Sequence, residues 1–233
     1  MTLKGKDMDV CFVTEDTLNA VWQERIAEIG KNDLLVFGFN GLGLVSYKKE
    51  LSGETEYFHD VAKLSKQLQT VVVCGCDTDN YGVFRHSVVV ADRGKILGVS
   101  DMVHQIDESE FVAGGGLRVY DTGAGKIGVL VAEDLFFPET IRVLTLCDAD
   151  VIICVFKKLE STMPQVMARA GAFCNGVLVA LCAEKYVAVA NVKGEITTSG
   201  SQNIIKTKLK IEKDYHLISL RRRGLYKDFN SGY

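Results

Sequence analysis

Proline is nearly absent. The 233 residues carry two, with a single tryptophan. A chain this poor in proline has no polyproline segment and no proline-rich linker. Histidine is scarce as well. His59, His86, His104 and His216 stand far apart with no HxH or HExxH spacing, so they read as surface or satisfied core residues, not metal ligands. No apolar run reaches the roughly 18 residues a membrane helix needs. The first residues, MTLKGKDMDVCFV, hold too short an apolar run for a signal peptide. Neither charge sign dominates. The formal net charge is −3, so no global field recruits nucleic acid or an anionic membrane.

What the chain does have is apolar residues, 47%, against 24% charged. That is a globular composition, and residues 1–233 read as one domain with a sizeable core. Seven cysteines stand at 11, 74, 76, 147, 154, 174 and 182, mostly inside apolar runs such as VVVCGC and VIICVF. They read as reduced, buried small hydrophobes of a cytoplasmic protein. Cys74 and Cys76 have a spacing seen in metal or redox pairs, but no second cysteine–histidine cluster accompanies them. No metal and no cofactor is expected.

Hydrophobic periodicity gives the elements. Met8–Thr14, Leu34–Phe37, Val71–Cys74, Val151–Phe156 and Val177–Cys182 read as buried strands. Leu18–Ile29, Glu54–Leu68, 138–147 and Pro164–Cys174 have helical spacing. RHSVVVADRGKILG reads as a hairpin turning at Asp-Arg-Gly, and Tyr186–Asn191 with Ile196–Ser199 as a second one. Thr207–Lys213 alternates Leu and Ile with Lys, a strand with one solvated face, and Tyr215–Leu220 reads as a last strand. Strands alternating with helices, plus hairpins, make an α/β fold with mixed sheets.

The central stretch is Lys126–Glu139, KIGVLVAEDLFFPE. A buried strand ends in a sharp turn, and Pro138 opens a helix. Enzymes use such a junction to hold a nucleophile beside backbone N–H groups at a helix start. GKIGVLVAEDLFFPETIRVLTLCDADVIICV resembles the nitrilase, or carbon–nitrogen hydrolase, superfamily, whose members carry GKIGVxICYDxRFPE and then GADVI. The resemblance continues in order along the chain. RHSVVVADRGKILG is similar to the family's RNSAVVIDPDGKIL, SDMVHQIDESEF to YRKIHLFD…E, MARAGAFCNGVLVAL to RARAxENxxYVVxA, and RRRGLYKDF to RRPxLY. It implies an αββα sandwich with two mixed sheets between helix layers.

Family members use a cysteine nucleophile, a glutamate base and a lysine that stabilises the tetrahedral oxyanion. On the matching positions this sequence has Ala132, Phe39 and Met102. A second, supporting glutamate is kept as Glu110, and His104 is kept two residues after the lysine position. A methyl, a phenyl ring and a thioether cannot attack, move a proton or hold an oxyanion. A glutamate and a lysine facing each other in a dry pocket form an ion pair. Losing one partner costs about 3–5 kcal/mol, whereas replacing both by apolar groups is often neutral. Phe39 with Met102 follows the second pattern. No glutamate lies between Gly30 and Lys49, so a shifted alignment does not restore the base.

The resemblance therefore implies a superfamily member without the catalytic triad, acting as a binding, scaffold or regulatory protein. Its partners would be a second copy of the chain, with a small molecule or protein as ligand. Two other readings stay open. One is an amide hydrolase working through the carboxylates Glu133, Asp134 and Glu110. The other is a Cys→Ala variant of an active amidohydrolase. Acids at a helix start are also favoured by the macrodipole alone, which is the plain account of Glu133 and Asp134. GFNGLG lacks the dinucleotide-loop spacing and GAGK the phosphate-loop spacing.

Overall fold

Alternation decides which way each strand faces. Val10 and Phe12 point to one side of β1 (Thr2–Val13), Cys11 and Val13 to the other, and all four are buried. The first strands form a seven-stranded sheet. β2 (Leu34–Phe37), β4 (Val71–Asn80), β5 (Val83–Asp92) and β6 (Lys95–Asp101) follow β1, with β13 (Ile204–Asp214) on its outer side. The short β3 (Leu44–Ser46) pairs with the far half of β4. β7 (Arg118–Thr122), β8 (Gly125–Val131), β9 (Val151–Lys158), β10 (Leu178–Glu184), β11 (Tyr186–Ala190) and β12 (Ile196–Gly200) make the second sheet, in that spatial order. Both sheets are mixed. β1, β2 and β4 run parallel, as do β8, β9 and β10, and hairpins add the antiparallel strands. The computed structural model describes residues 2–106, 110–222 and 224, with side chains from residue 7 onward.

The two sheets face one another. Val10, Phe12, Val36 and Val73 of the first meet Val129, Val131, Ile153 and Val155 of the second in a single apolar layer. The opposite faces carry helices. Cys11, Leu35, Val72 and Cys74 pack with Val61 and Leu64 of α4 (Tyr57–Leu68). Leu130, Ile152 and Val179 pack with Ile141 and Leu144 of α5 (Pro138–Leu146) and Ala168 and Ala172 of α6 (Met163–Asn175). The result is the expected αββα sandwich. Among the described residues no helix is long and apolar enough to cross a membrane.

Local differences from the sequence reading have local causes. The first helix, α1 (Leu18–Ala20) continued by α2 (Ile26–Ile29), passes through a π turn at Val21–Arg25. β3 and α3 (Tyr47–Ser52) leave no mark in the periodicity, because three strand residues and a six-residue helix with no buried face are too short for a period. Tyr215–Leu220 is not a strand. β1 pairs with β13 only as far as Thr2 opposite Asp214, so no partner remains beyond it. The Asp214 carboxylate instead accepts the His216 N–H at 3.1 Å, and α7 (His216–Ser219) begins. The RRRGLYKDF segment lies outside the described residues except for Arg221, Arg222 and Gly224.

Candidate functional site

Three strand ends bring Phe39, Met102 and Ala132 into the apolar layer between the sheets, where they are 7%, 4% and 0% exposed. Phe39 follows β2. The Gly38 N–H donates to Val13 O at 2.7 Å, and the Leu42 N–H donates to Gly75 O at 3.1 Å, which seats the loop on β4. Only a glycine fits beneath it. A Cβ at Gly75 would stand 2.7 Å from both Gly38 O and the Phe39 Cα, and 2.8 Å from Val155 Cγ1. Val155 in turn pairs with Val131, the residue before Ala132. Met102 follows β6, its N–H bonded to His86 O and its carbonyl to the Gly114 N–H.

Ala132 begins the sharp turn that ends β8, with φ +48°, a left-handed conformation rare for a residue with a Cβ. A 3-10 turn, Ala132–Phe136, carries the chain on to α5. Asp134 within that turn is fully buried. Its carboxylate accepts the Val103 and His104 N–H groups at 3.0–3.1 Å and pairs with His104 Nδ1 at 2.9 Å. His104 also stacks on Phe137, with centroids 3.8 Å apart. Burial pushes the Asp134 carboxyl above its ordinary pKa, and the Val103 and His104 donors oppose that without cancelling it. Asp134 thus locks the loop carrying Met102 to the turn carrying Ala132. Glu133 is half-buried and faces a neighbouring cleft, and Glu110 is exposed, so it needs no internal partner.

A thiol does adjoin the turn. Cys154 Sγ lies 3.9 Å from Ala132 O. It belongs to the helix-facing layer, however, and burial, then Asp134 and Glu133, push its pKa well up. It stays a thiol and is no substitute nucleophile. Among the described residues no group of three or more His, Cys, Asp and Glu side chains is placed to hold a metal.

Further residues gather here that the sequence did not mark. Buried His86 on β5 bonds Asp77 Oδ1 through Nδ1 at 2.6 Å, meets Phe39 edge-on at 5.2 Å and stacks on Phe111 at 3.8 Å. Lys157, near the end of β9, puts its Nζ 5.1 Å from the Phe39 ring centre and 4.8 Å from that of Phe111. The available signal for His86 was its place in RHS, where the family has RNS. Lys157 had no signal, because its neighbours come from β2 and the 102–116 loop. Beyond Lys157 opens a cleft of about 370 Å³, walled by Glu133, Phe136, Phe156, Lys158 and Glu160.

The carbon-nitrogen hydrolase family model matches residues 15–211, so the chain belongs to that family, the nitrilase superfamily. A nitrilase of Pyrococcus abyssi is 34% identical over 104 residues, 43% of this chain and 38% of its own length. An (R)-stereoselective amidase of a Pseudomonas species is 28% identical over 181 residues, 72% of this chain and 64% of its own. A probable nitrilase of Schizosaccharomyces pombe is 23% identical over 127 residues, 52% and 47%. The chain thus spans less than two thirds of each of these relatives. Among solved structures, a cysteine-to-alanine mutant of a nitrilase-superfamily amidase from Nesterenkonia AN1 superposes with TM-score 0.77 at 18% identity, covering 95% of this chain and 97% of that one. A carbon-nitrogen hydrolase from Helicobacter pylori G27 gives 0.76 at 17%, covering 98% and 100%. At such identity these structures speak for the fold.

Proposed function

We propose that this chain is a non-catalytic member of its superfamily, a single-domain binding, scaffold or regulatory protein in which Phe39, Met102 and Ala132 stand at the base, lysine and nucleophile positions. The observation that carries this is a dissociation between scaffold and chemistry. The left-handed turn at Ala132 and the Asp134 lock on residues 103–104 are present, yet Phe39, Met102 and Ala132 all belong to the apolar layer between the sheets. Rebuilding a polar site as packing removes the cost of burying a lysine and a carboxylate. A reducing, cytoplasmic setting fits cysteines that form no disulfide among the described residues.

Ammonia release from a panel of amides, nitriles and N-carbamoyl compounds tests the reading. The expected result is background, and background again for Ala132→Cys, since a restored thiol still lacks its base and its oxyanion donor. Activity gained by Ala132→Cys alone would identify a nucleophile variant of a working enzyme. Release by the unaltered protein that is lost on Glu133→Gln would identify carboxylate chemistry.

A further inference from the structure

The cleft that Lys157 lines contains more charge than its own contacts use. Glu133 and Glu160 line it together with Lys157 and Lys158. Among the described residues none of these four side chains is ion-paired or hydrogen-bonded to another. The contacts of the Lys157 ammonium are the rings of Phe39 and Phe111. Elsewhere in the molecule a lysine of low exposure has acids beside it. Lys213 Nζ lies 2.8 Å from Asp148 Oδ1 and 2.7 Å from Asp150 Oδ1. The cleft also has an apolar wall, where Phe136 meets Phe156 edge-to-face at 5.7 Å.

We propose that this cleft binds a small zwitterion, an α-amino acid with an apolar side chain. The proposal deepens the non-catalytic reading and rests on it. Lys157 and Lys158 receive the carboxylate, the half-buried Glu133 receives the ammonium, and the Phe136–Phe156 wall takes the side chain. Charge decides between ligand classes. A simple anion would face the two glutamates and a simple cation the two lysines, whereas a ligand carrying both signs satisfies both sets. The volume, about 370 Å³, is in the range of small-molecule sites.

Calorimetric titration of the whole protein with L-phenylalanine, 3-phenylpropionate and phenethylamine separates the classes, because the three share a ring and differ in charge. Saturable binding of phenylalanine is expected, with each singly charged analogue at least about tenfold weaker. Lys157→Met and Glu133→Gln should each weaken phenylalanine by about tenfold, with circular dichroism unchanged. Phenylpropionate or phenethylamine binding as tightly as phenylalanine overturns the proposal, and so does an absence of binding by both L-phenylalanine and L-leucine. Ammonia release measured on the same preparation reports separately on the non-catalytic reading.

Discussion

Ala132, Phe39 and Met102 could be named from the sequence because each sits at a fixed place in a motif that resembles its family. Asp134 could be named too, but not its task. That task depends on Val103 and His104, which reach it from another strand end. Its removal is the most informative single change at the site. Asp134→Ala leaves two half-buried backbone N–H groups without their acceptor and should cost about 2–4 kcal/mol. Asp134→Asn, which keeps an accepting oxygen, should cost less. Urea unfolding of both variants measures this. An unchanged midpoint for Asp134→Ala would mean that the 102–104 loop is held by other contacts.

Elements were legible where a period could repeat. The buried strands and the long helices lie near their expected positions, while β4 runs six residues beyond Cys74 because its second half pairs with β3 and β5. Short pieces such as β3, α3 and α7 carry too little period to read. The strand at 204–214 is a mixed case. Lys206, Lys208 and Lys210 are exposed as the alternation predicts, but Lys213 falls out of phase, on the inward side. The contact between elements at the site is equally specific. Gly75→Ala drives a methyl into the backbone of Gly38 and Phe39, which the hydrogen bonds of that loop prevent from yielding. A loss of about 2–4 kcal/mol is expected in chemical unfolding. A fully stable variant would show the loop at Phe39 to be free to lift.

For the whole molecule the sequence pattern yielded only an α/β class. That the sheets stack face to face came from the resemblance, because alternation marks two faces on each strand without saying which element covers them. Two predictions belong at this scale. The first is self-association. The family resemblance implies a second copy of the chain as partner, and Val143, Leu146, Val166 and Phe173 are exposed on α5 and α6. Light scattering should give a mass above 25.6 kDa. A monomer at micromolar concentration counts against it, and Leu146→Glu with Phe173→Glu should produce one. The second is acid sensitivity at the opposite end of the sandwich. Burial lowers the pKa of the Lys213 ammonium, but its bonds to Asp148 and Asp150 outweigh that and leave it raised. Hydrogen bonds from Lys126 and Lys213 lower the Asp148 pKa to about 2. A depressed carboxylate stabilises the fold above its unfolded pKa, about 4, and that contribution disappears as pH falls through about 2. Asp148 is 57% exposed, so water screens much of it. Calorimetric melting temperatures should drop more steeply from pH 4 to 2 in the native protein than in Asp148→Asn, a change the left-handed φ of +68° tolerates. Parallel pH profiles would assign the acid sensitivity to other carboxylates.

The pairing of β1 with β13 sets a schedule as well as a shape. Thr14 donates its hydroxyl hydrogen bond to Gln202, 188 residues away. Contacts so distant in sequence slow folding, because the intervening chain must be ordered or looped before they can form. During synthesis β1 emerges early and waits with one edge bare until β13 arrives, and bare edges recruit other strands. A nascent chain stopped short of residue 204 is thus a candidate for aggregation, whatever the rest of it has already buried.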